Sequence, residues 1–129
     1  MRPSLLVVED DPVTRALLRG FLEAEGYEVA IACDGDEALD RLGSRRYDAV
    51  VLDIVLPKRD GIAVMEHLSI HDPHTLERVV VVTGLNIDEV RTLFPAVRNA
   101  LSKPVLRSRL LSVVNECVDE HFTPRRMSS

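Results

Sequence analysis

Leu5-Leu6-Val7-Val8-Glu9-Asp10-Asp11-Pro12 is the stretch on which the fold turns. Four consecutive apolar residues without polar alternation describe a strand buried on both faces, as in the middle of a parallel sheet. Directly behind them Asp11 offers a helix N-cap, and Pro12 suits the first helical position. Strand, acidic turn and helix start follow one another without a spacer, which is the beginning of a βα unit.

Read outward from there, the alternation occurs five times. Strands are expected at Ser4–Val8, Glu28–Ala32, Ala49–Leu52, Arg78–Val82 and Arg98–Ser102, with Val79-Val80-Val81-Val82 a second unbroken apolar run. Behind Pro12, the residues Val13, Leu17, Leu18, Phe21 and Leu22 suggest one apolar stripe. Asp34 with Glu37 and Asn86 with Glu89 come close to the capping-box pattern. A further helix is expected from Gly61 to Ile70, and a last one from Leu106 to His121 with Leu106, Leu110, Leu111, Val114, Cys117 and Val118 on one face. Five such units with short connections imply an α/β protein, a parallel sheet with helices on both faces and right-handed crossovers.

The bulk properties agree. At 129 residues, 46% hydrophobic and 29% charged, the chain suits one globular domain, expected over residues 1–122, with a flexible tail at 123–129. Aromatics make up only 4%, so the core must be aliphatic. A net charge of −5 argues against a phosphate-tracking nucleic-acid surface and is compatible with a cation or a basic protein surface. Cys33 and Cys117 have no metal-ligand spacing and read as buried or half-buried thiols. Nothing approaches the roughly 20 apolar residues of a membrane span. No secretory signal is present, and the expected location is the cytoplasm.

In open parallel sheets the working site lies beyond the carboxyl ends of the strands. Those ends carry Glu9-Asp10-Asp11, Asp53, Thr83-Gly84 and Lys103-Pro104. Alone, the acidic triplet would be a charged helix entry, and Thr83 or Lys103 would say little. Four strand ends in agreement place several carboxylates, a hydroxyl and an ammonium in one pocket. Clustered carboxylates repel unless a cation neutralises them. An all-oxygen set at a solvent-facing edge suits Mg²⁺. Asp53 could then act as a carboxylate nucleophile toward a phosphoryl group, with Lys103 and Thr83 stabilising the phosphoryl oxygens.

These stretches resemble the receiver domains of two-component response regulators, of the chemotaxis-regulator-like single-domain kind. Leu5 to Pro12 is similar to the family's first strand and acidic pair, and Asp53-Ile54-Val55-Leu56-Pro57 with Asp60-Gly61 to its phosphoacceptor loop. Val80-Val81-Val82-Thr83-Gly84 and Ser102-Lys103-Pro104 match the remaining signatures. The resemblance implies a flavodoxin-like, doubly wound, three-layer fold with strand order 2-1-3-4-5. It implies Asp53 as phosphoacceptor, Mg²⁺ on Asp10, Asp53 and the Val55 carbonyl with Glu9 acting through water, Asp11 mainly as a helix cap, Thr83 as switch hydroxyl and Lys103 as charge partner. A cis Lys103–Pro104 bond is also implied. So is a histidine kinase or phosphotransfer protein as partner, with the domain itself a monomer or weak dimer, off nucleic acid and off the membrane. It would be an enzyme only toward itself.

One departure stands out. Where the family carries Tyr or Phe three residues before the lysine, this chain has Ala100, so the Thr83–aromatic coupling is not expected in its usual form. Val55 and Leu85, two places after Asp53 and Thr83, are apolar, and slow self-dephosphorylation is expected. Two other functions stay open: a phosphorylation-independent scaffold, and a receiver cut from a hybrid kinase or DNA-binding regulator. His71-Asp72-Pro73-His74 reads as a polar surface loop rather than a metal cluster, since structural zinc needs four ligands.

Overall fold

The computed structural model describes residues 2–55 and 60–121. The expected tail from Thr123, and Leu56-Pro57 of the acceptor loop, lie outside them. Five parallel strands, β1 (Ser4–Val8), β2 (Glu28–Ala32), β3 (Ala49–Asp53), β4 (Val79–Thr83) and β5 (Asn99–Ser102), form one sheet in the order β2-β1-β3-β4-β5. The helices are α1 (Pro12–Ala24), α2 (Gly35–Ser44), α3 (Gly61–His71), α4 (Pro73–Leu76), α5 (Ile87–Leu93) and α6 (Arg107–His121). This is the flavodoxin-like arrangement.

The sheet divides two largely aliphatic cores, one with buried Tyr47 and the other with Tyr27. Leu6, Val8, Val50, Leu52, Val79 and Val81 face α2, α3 and α5, whose Ala38, Met65, Leu68 and Val90 cover them. Leu5, Val7, Val51, Val80 and Val82 face α1 and α6, meeting Leu18, Leu22, Leu110, Val114 and Val118. Each fully buried Leu or Val side chain contributes roughly 1.5–3 kcal/mol over its exposed state. Strand register is continuous: Val8 lies beside both Ala32 and Leu52, Asp53 beside Val82, and Thr83 beside Ser102.

Several local expectations need correction. Strand β3 runs one residue further than expected and takes Asp53 into the ladder, while β4 starts at Val79 and ends on Thr83. The α1 stripe splits: Leu18 and Leu22 point inward, but Val13 and Leu17 are exposed, because the 3.6-residue period carries them past the sheet face. Leu106 is exposed too and lies outside α6, with its carbonyl accepting the first helical bond from Leu110 N–H at 3.0 Å. Cys33 is exposed at the end of edge strand β2, while Cys117 is buried. The stretch read as a polar loop is in part a helix: Asp72 accepts from the N–H and hydroxyl of Thr75 (3.3 and 2.6 Å) and starts α4 with Pro73 at its first position. Between α1 and β2, Gly26 takes φ 99°, in the left-handed region that favours glycine.

Candidate phosphoacceptor site

Three carboxylates meet beyond the carboxyl ends of β1 and β3. Oxygens of Glu9, Asp10 and Asp53 lie within 4.8 Å of one another. Glu9 and Asp53 are buried, and Asp10 is exposed at the mouth. Asp53 leaves β3 with its Oδ1 accepting from Val55 N–H at 3.0 Å. The turn behind it is drawn against α3, where Gly61 N–H donates to the Ile54 carbonyl at 2.7 Å. A Cβ on Gly61 would stand 2.3 Å from Ile54 Cα, so only glycine allows this approach.

Lys103 crosses from the end of β5 to this cluster. Its ammonium donates to Asp53 Oδ2 at 2.8 Å and to Glu9 Oε1 at 3.0 Å. The Lys103–Pro104 peptide is cis, as the resemblance implied. Burial works against the Lys103 charge, yet the bonds to Asp53 and Glu9 outweigh it and raise its pKa above the ordinary lysine value. For Glu9 burial is the largest influence, and the nearby Asp53 charge acts with it. The bonds from Lys103 and from Asp11 N–H (3.1 Å) oppose burial without overcoming it, and the Glu9 pKa is raised.

The remaining expected residues divide. Asp11 caps α1, accepting from Thr14 N–H at 2.8 Å and from its hydroxyl at 2.7 Å, which lowers its pKa. Thr83 is fully buried at the end of β4, and its hydroxyl oxygen accepts from Leu85 N–H at 2.9 Å. Lys103 N–H donates to the Thr83 carbonyl at 2.9 Å, tying the ends of β4 and β5 together. Val55 and Leu85 are exposed, at 56% and 46%. Ala100 is buried against a cavity of about 210 Å³ lined also by Ile87, Pro104 and Leu106.

One contributor was not read from the sequence. Arg15 donates from one guanidinium nitrogen to the carbonyls of Glu9 (3.1 Å) and Asp10 (3.3 Å), fixing the acidic turn from the first turns of α1. Its targets are backbone carbonyls, which leave no residue-type signature in the sequence.

The chemistry of this set is definite. Three carboxylates against one ammonium leave negative charge in excess, and every donor is a hard oxygen. Such a set fits a divalent cation of the Mg²⁺ class, which is held by one or two carboxylates and keeps several waters.

Comparisons with known proteins agree with this geometry. A family model described as the response regulator receiver domain matches residues 5–115. The response regulator MprA of Mycolicibacterium vanbaalenii is 50% identical over 64 residues, covering 50% of this chain and 28% of that protein. MprA of Mycobacterium tuberculosis (strain H37Rv) is 47% identical over 68 residues, 53% of this chain and 30% of that protein. The matched region thus spans less than a third of these relatives. Among solved structures, a CheY-like response regulator receiver domain protein from Methanospirillum hungatei JF-1 superposes with a TM-score of 0.84 at 28% identity, covering 94% of this chain and 97% of that one. The receiver domain of sensor histidine kinase PA1611 from Pseudomonas aeruginosa PAO1, solved with magnesium coordinated in its active-site cleft, gives 0.77 at 26% identity over 92% and 99% of the two chains.

Proposed function

The chain belongs to the response regulator receiver domain family, and we propose that it accepts a phosphoryl group on Asp53 in a Mg²⁺-dependent reaction with a histidine kinase or phosphotransfer partner. One observation carries this reading above the rest: a single ammonium, Lys103, holds both Asp53 and Glu9 across the sheet edge, beside an exposed Asp10. Residues 1–122 are read as the phosphoaccepting unit. No helix among the described residues is long and apolar enough to cross a membrane. A cytoplasmic setting is part of the proposal.

In the reaction an Asp53 carboxylate oxygen bonds to phosphorus as the donor's P–N bond breaks, and the electron pair leaves with the imidazole nitrogen. Asp10, Asp53 and the Val55 carbonyl would hold the cation, with Glu9 behind them; its full burial and its bonds to Lys103 and Asp11 N–H suit an indirect part. When bound, Mg²⁺ supplies positive charge to the phosphoryl oxygens and brings them into line with the nucleophile. Lys103, already on Asp53 Oδ2, offsets the charge that arrives. Thr83 presents its hydroxyl at the same strand edge, where a hydrogen bond to a phosphoryl oxygen would be its contribution.

The test is intact mass after incubation with acetyl phosphate and Mg²⁺. We expect the gain of one phosphoryl group, its loss when Mg²⁺ is chelated, and its absence in Asp53→Asn. A folded protein that gains no mass from any donor sinks the reading. Such a result would favour the phosphorylation-independent scaffold, the second reading that Ala100 supports. The exposed, apolar Val55 and Leu85 flank the acceptor edge and favour a long-lived acyl phosphate, because they offer an attacking water no hydrogen-bond partner. Following the phosphorylated mass over time should give a lifetime of minutes or longer, and decay within seconds contradicts it.

A further inference from the structure

Arg78 and Arg15 both serve the fold through carbonyl groups, in different settings. Arg78 stands beside a cavity of about 680 Å³ at the amino ends of β3 and β4, lined also by Ser44, Asp72 and His74. It is 6% exposed, and all three of its guanidinium nitrogens donate within the protein: to the Tyr47 carbonyl (3.0 Å), the His74 carbonyl (3.2 Å) and the Thr75 hydroxyl (3.0 Å). Nothing of it is left for a ligand. Arg15 stands at the opposite edge of the sheet, half-buried beside the carboxylates, and uses a single nitrogen, Nη1, on two successive carbonyls.

Those carbonyls belong to Glu9 and Asp10, and the two acids are held unequally. Glu9 is buried, its carboxylate accepts from Lys103 and from Asp11 N–H, and its own N–H donates to the Ala32 carbonyl at 3.1 Å. Asp10 is exposed, and among the described residues the one hydrogen bond that reaches it is the bond from Arg15 to its carbonyl. Its carboxylate nonetheless has an oxygen within 4.8 Å of oxygens from Glu9 and Asp53. Anionic groups this close repel one another, so an exposed member on a loose backbone would turn away to water. The bond from Arg15 opposes that turn before any cation is present. A guanidinium is also a positive charge near an incoming cation, and that effect has the opposite sign. Arg15 is half-exposed, and charges in contact with water are screened within roughly 8–10 Å at ordinary ionic strength, so holding the turn should outweigh the repulsion.

We propose that Arg15 is a positioning residue for the divalent cation: it preorganises the Glu9–Asp10 turn and thereby sets the Mg²⁺ affinity of the site. The inference rests on the reading of Asp10 and Asp53 as cation ligands. Its test titrates Mg²⁺ into the full chain, followed by calorimetry and by amide chemical shifts, in wild type, Arg15→Met and Arg15→Lys. Met removes both the charge and the donor, while Lys keeps the charge and a donor on a shorter stem. Groups that hold metal ligands in place through hydrogen bonds are worth about 10–100-fold in metal affinity. With one nitrogen shared between two carbonyls the low end applies, so Arg15→Met should raise the Mg²⁺ Kd roughly tenfold and Arg15→Lys by less. In chelator, the Asp11 amide should exchange its hydrogen faster in Arg15→Met, which reports the loosened turn with no cation present. Phosphoryl gain from acetyl phosphate should need correspondingly more Mg²⁺ to reach half its maximal rate, with a smaller change at saturating Mg²⁺. A mere loss of helix stability would not produce that split. Where Arg15→Met does not fold, Arg15→Lys carries the same comparison. An Arg15→Met chain with the wild-type Kd, or a lower one, overturns this inference, while the acceptor reading stands or falls separately on the wild-type mass gain. A folded wild type that binds no Mg²⁺ overturns both.

Discussion

Lys103 holds two carboxylates with one charge, and the titration of Glu9 follows from that division. Glu9 receives only a share of the ammonium, so burial prevails and its pKa is raised. At Tyr27, away from the site, burial meets no such opposition. Its hydroxyl donates to Asn115 Oδ1, and burial, with Glu25 and Asp119 nearby, pushes its pKa up to about 12. The unfolded value is near 10, so between pH 10 and 12 the native state holds the proton more firmly than the unfolded chain. The Tyr27 contribution is therefore fully present below pH 10 and is lost as pH rises toward 12. Denaturant titrations at pH 9, 10 and 11 should show wild-type stability falling with pH, and a shallower fall for Tyr27→Phe, which starts about 1 kcal/mol lower for want of the hydrogen bond. Equal slopes contradict the assignment. Glu9, Asp10, Asp53, Thr83 and Lys103 were legible in the sequence because each follows a strand core. Arg15 was not, since its guanidinium serves the site through carbonyl groups of other residues.

At the scale of elements, the strands and long helices were legible because apolar runs and caps coincide. Errors fell where a short element leaves too few residues for a period to appear. The Asp-Pro pair that marks α1 also begins α4, but four residues cannot show an amphipathic repeat, and the segment looked like a loop. The strand ends moved because polar Asp53 and Thr83 join the ladder against Val82 and Ser102, a matter of pairing rather than hydropathy. Close packing of the turn after β3 on α3 gives an element-scale prediction. In Gly61→Ala the new Cβ would meet Ile54 Cα at 2.3 Å and the Asp53 carbonyl oxygen at 2.6 Å, so backbone must shift. We expect a loss of roughly 1–3 kcal/mol in denaturant unfolding, and slower mass gain from acetyl phosphate because Asp53 moves with the turn. Wild-type stability and rate together would contradict this close approach.

For the molecule as a whole, fold class and strand order could be anticipated, since βα alternation and family resemblance both pointed to them. Surfaces could not, because the cavity around Arg78 joins the end of α2, the start of α4 and the entry to β4, segments far apart in the chain. The two-sided core has a further consequence for β4. A strand with one polar face resists a one-residue slip, because slipping turns its apolar set toward solvent. Val79 to Val82 have no such protection: both faces are buried, and each position carries the same side chain. Arg78 with its three bonds and Thr83 with the Leu85 amide act as stops at the two ends. An extra Val inserted after Val80 should therefore keep both cores apolar, yet seat only one stop at a time. Leaving Arg78 buried and unbonded would lower stability by at least about 3 kcal/mol, read in urea. An insertion mutant with wild-type stability would show that the stops are not needed. The valines are interchangeable beads, and the polar groups at either end, one of them beside the carboxylate cluster, act as the ruler that measures them off.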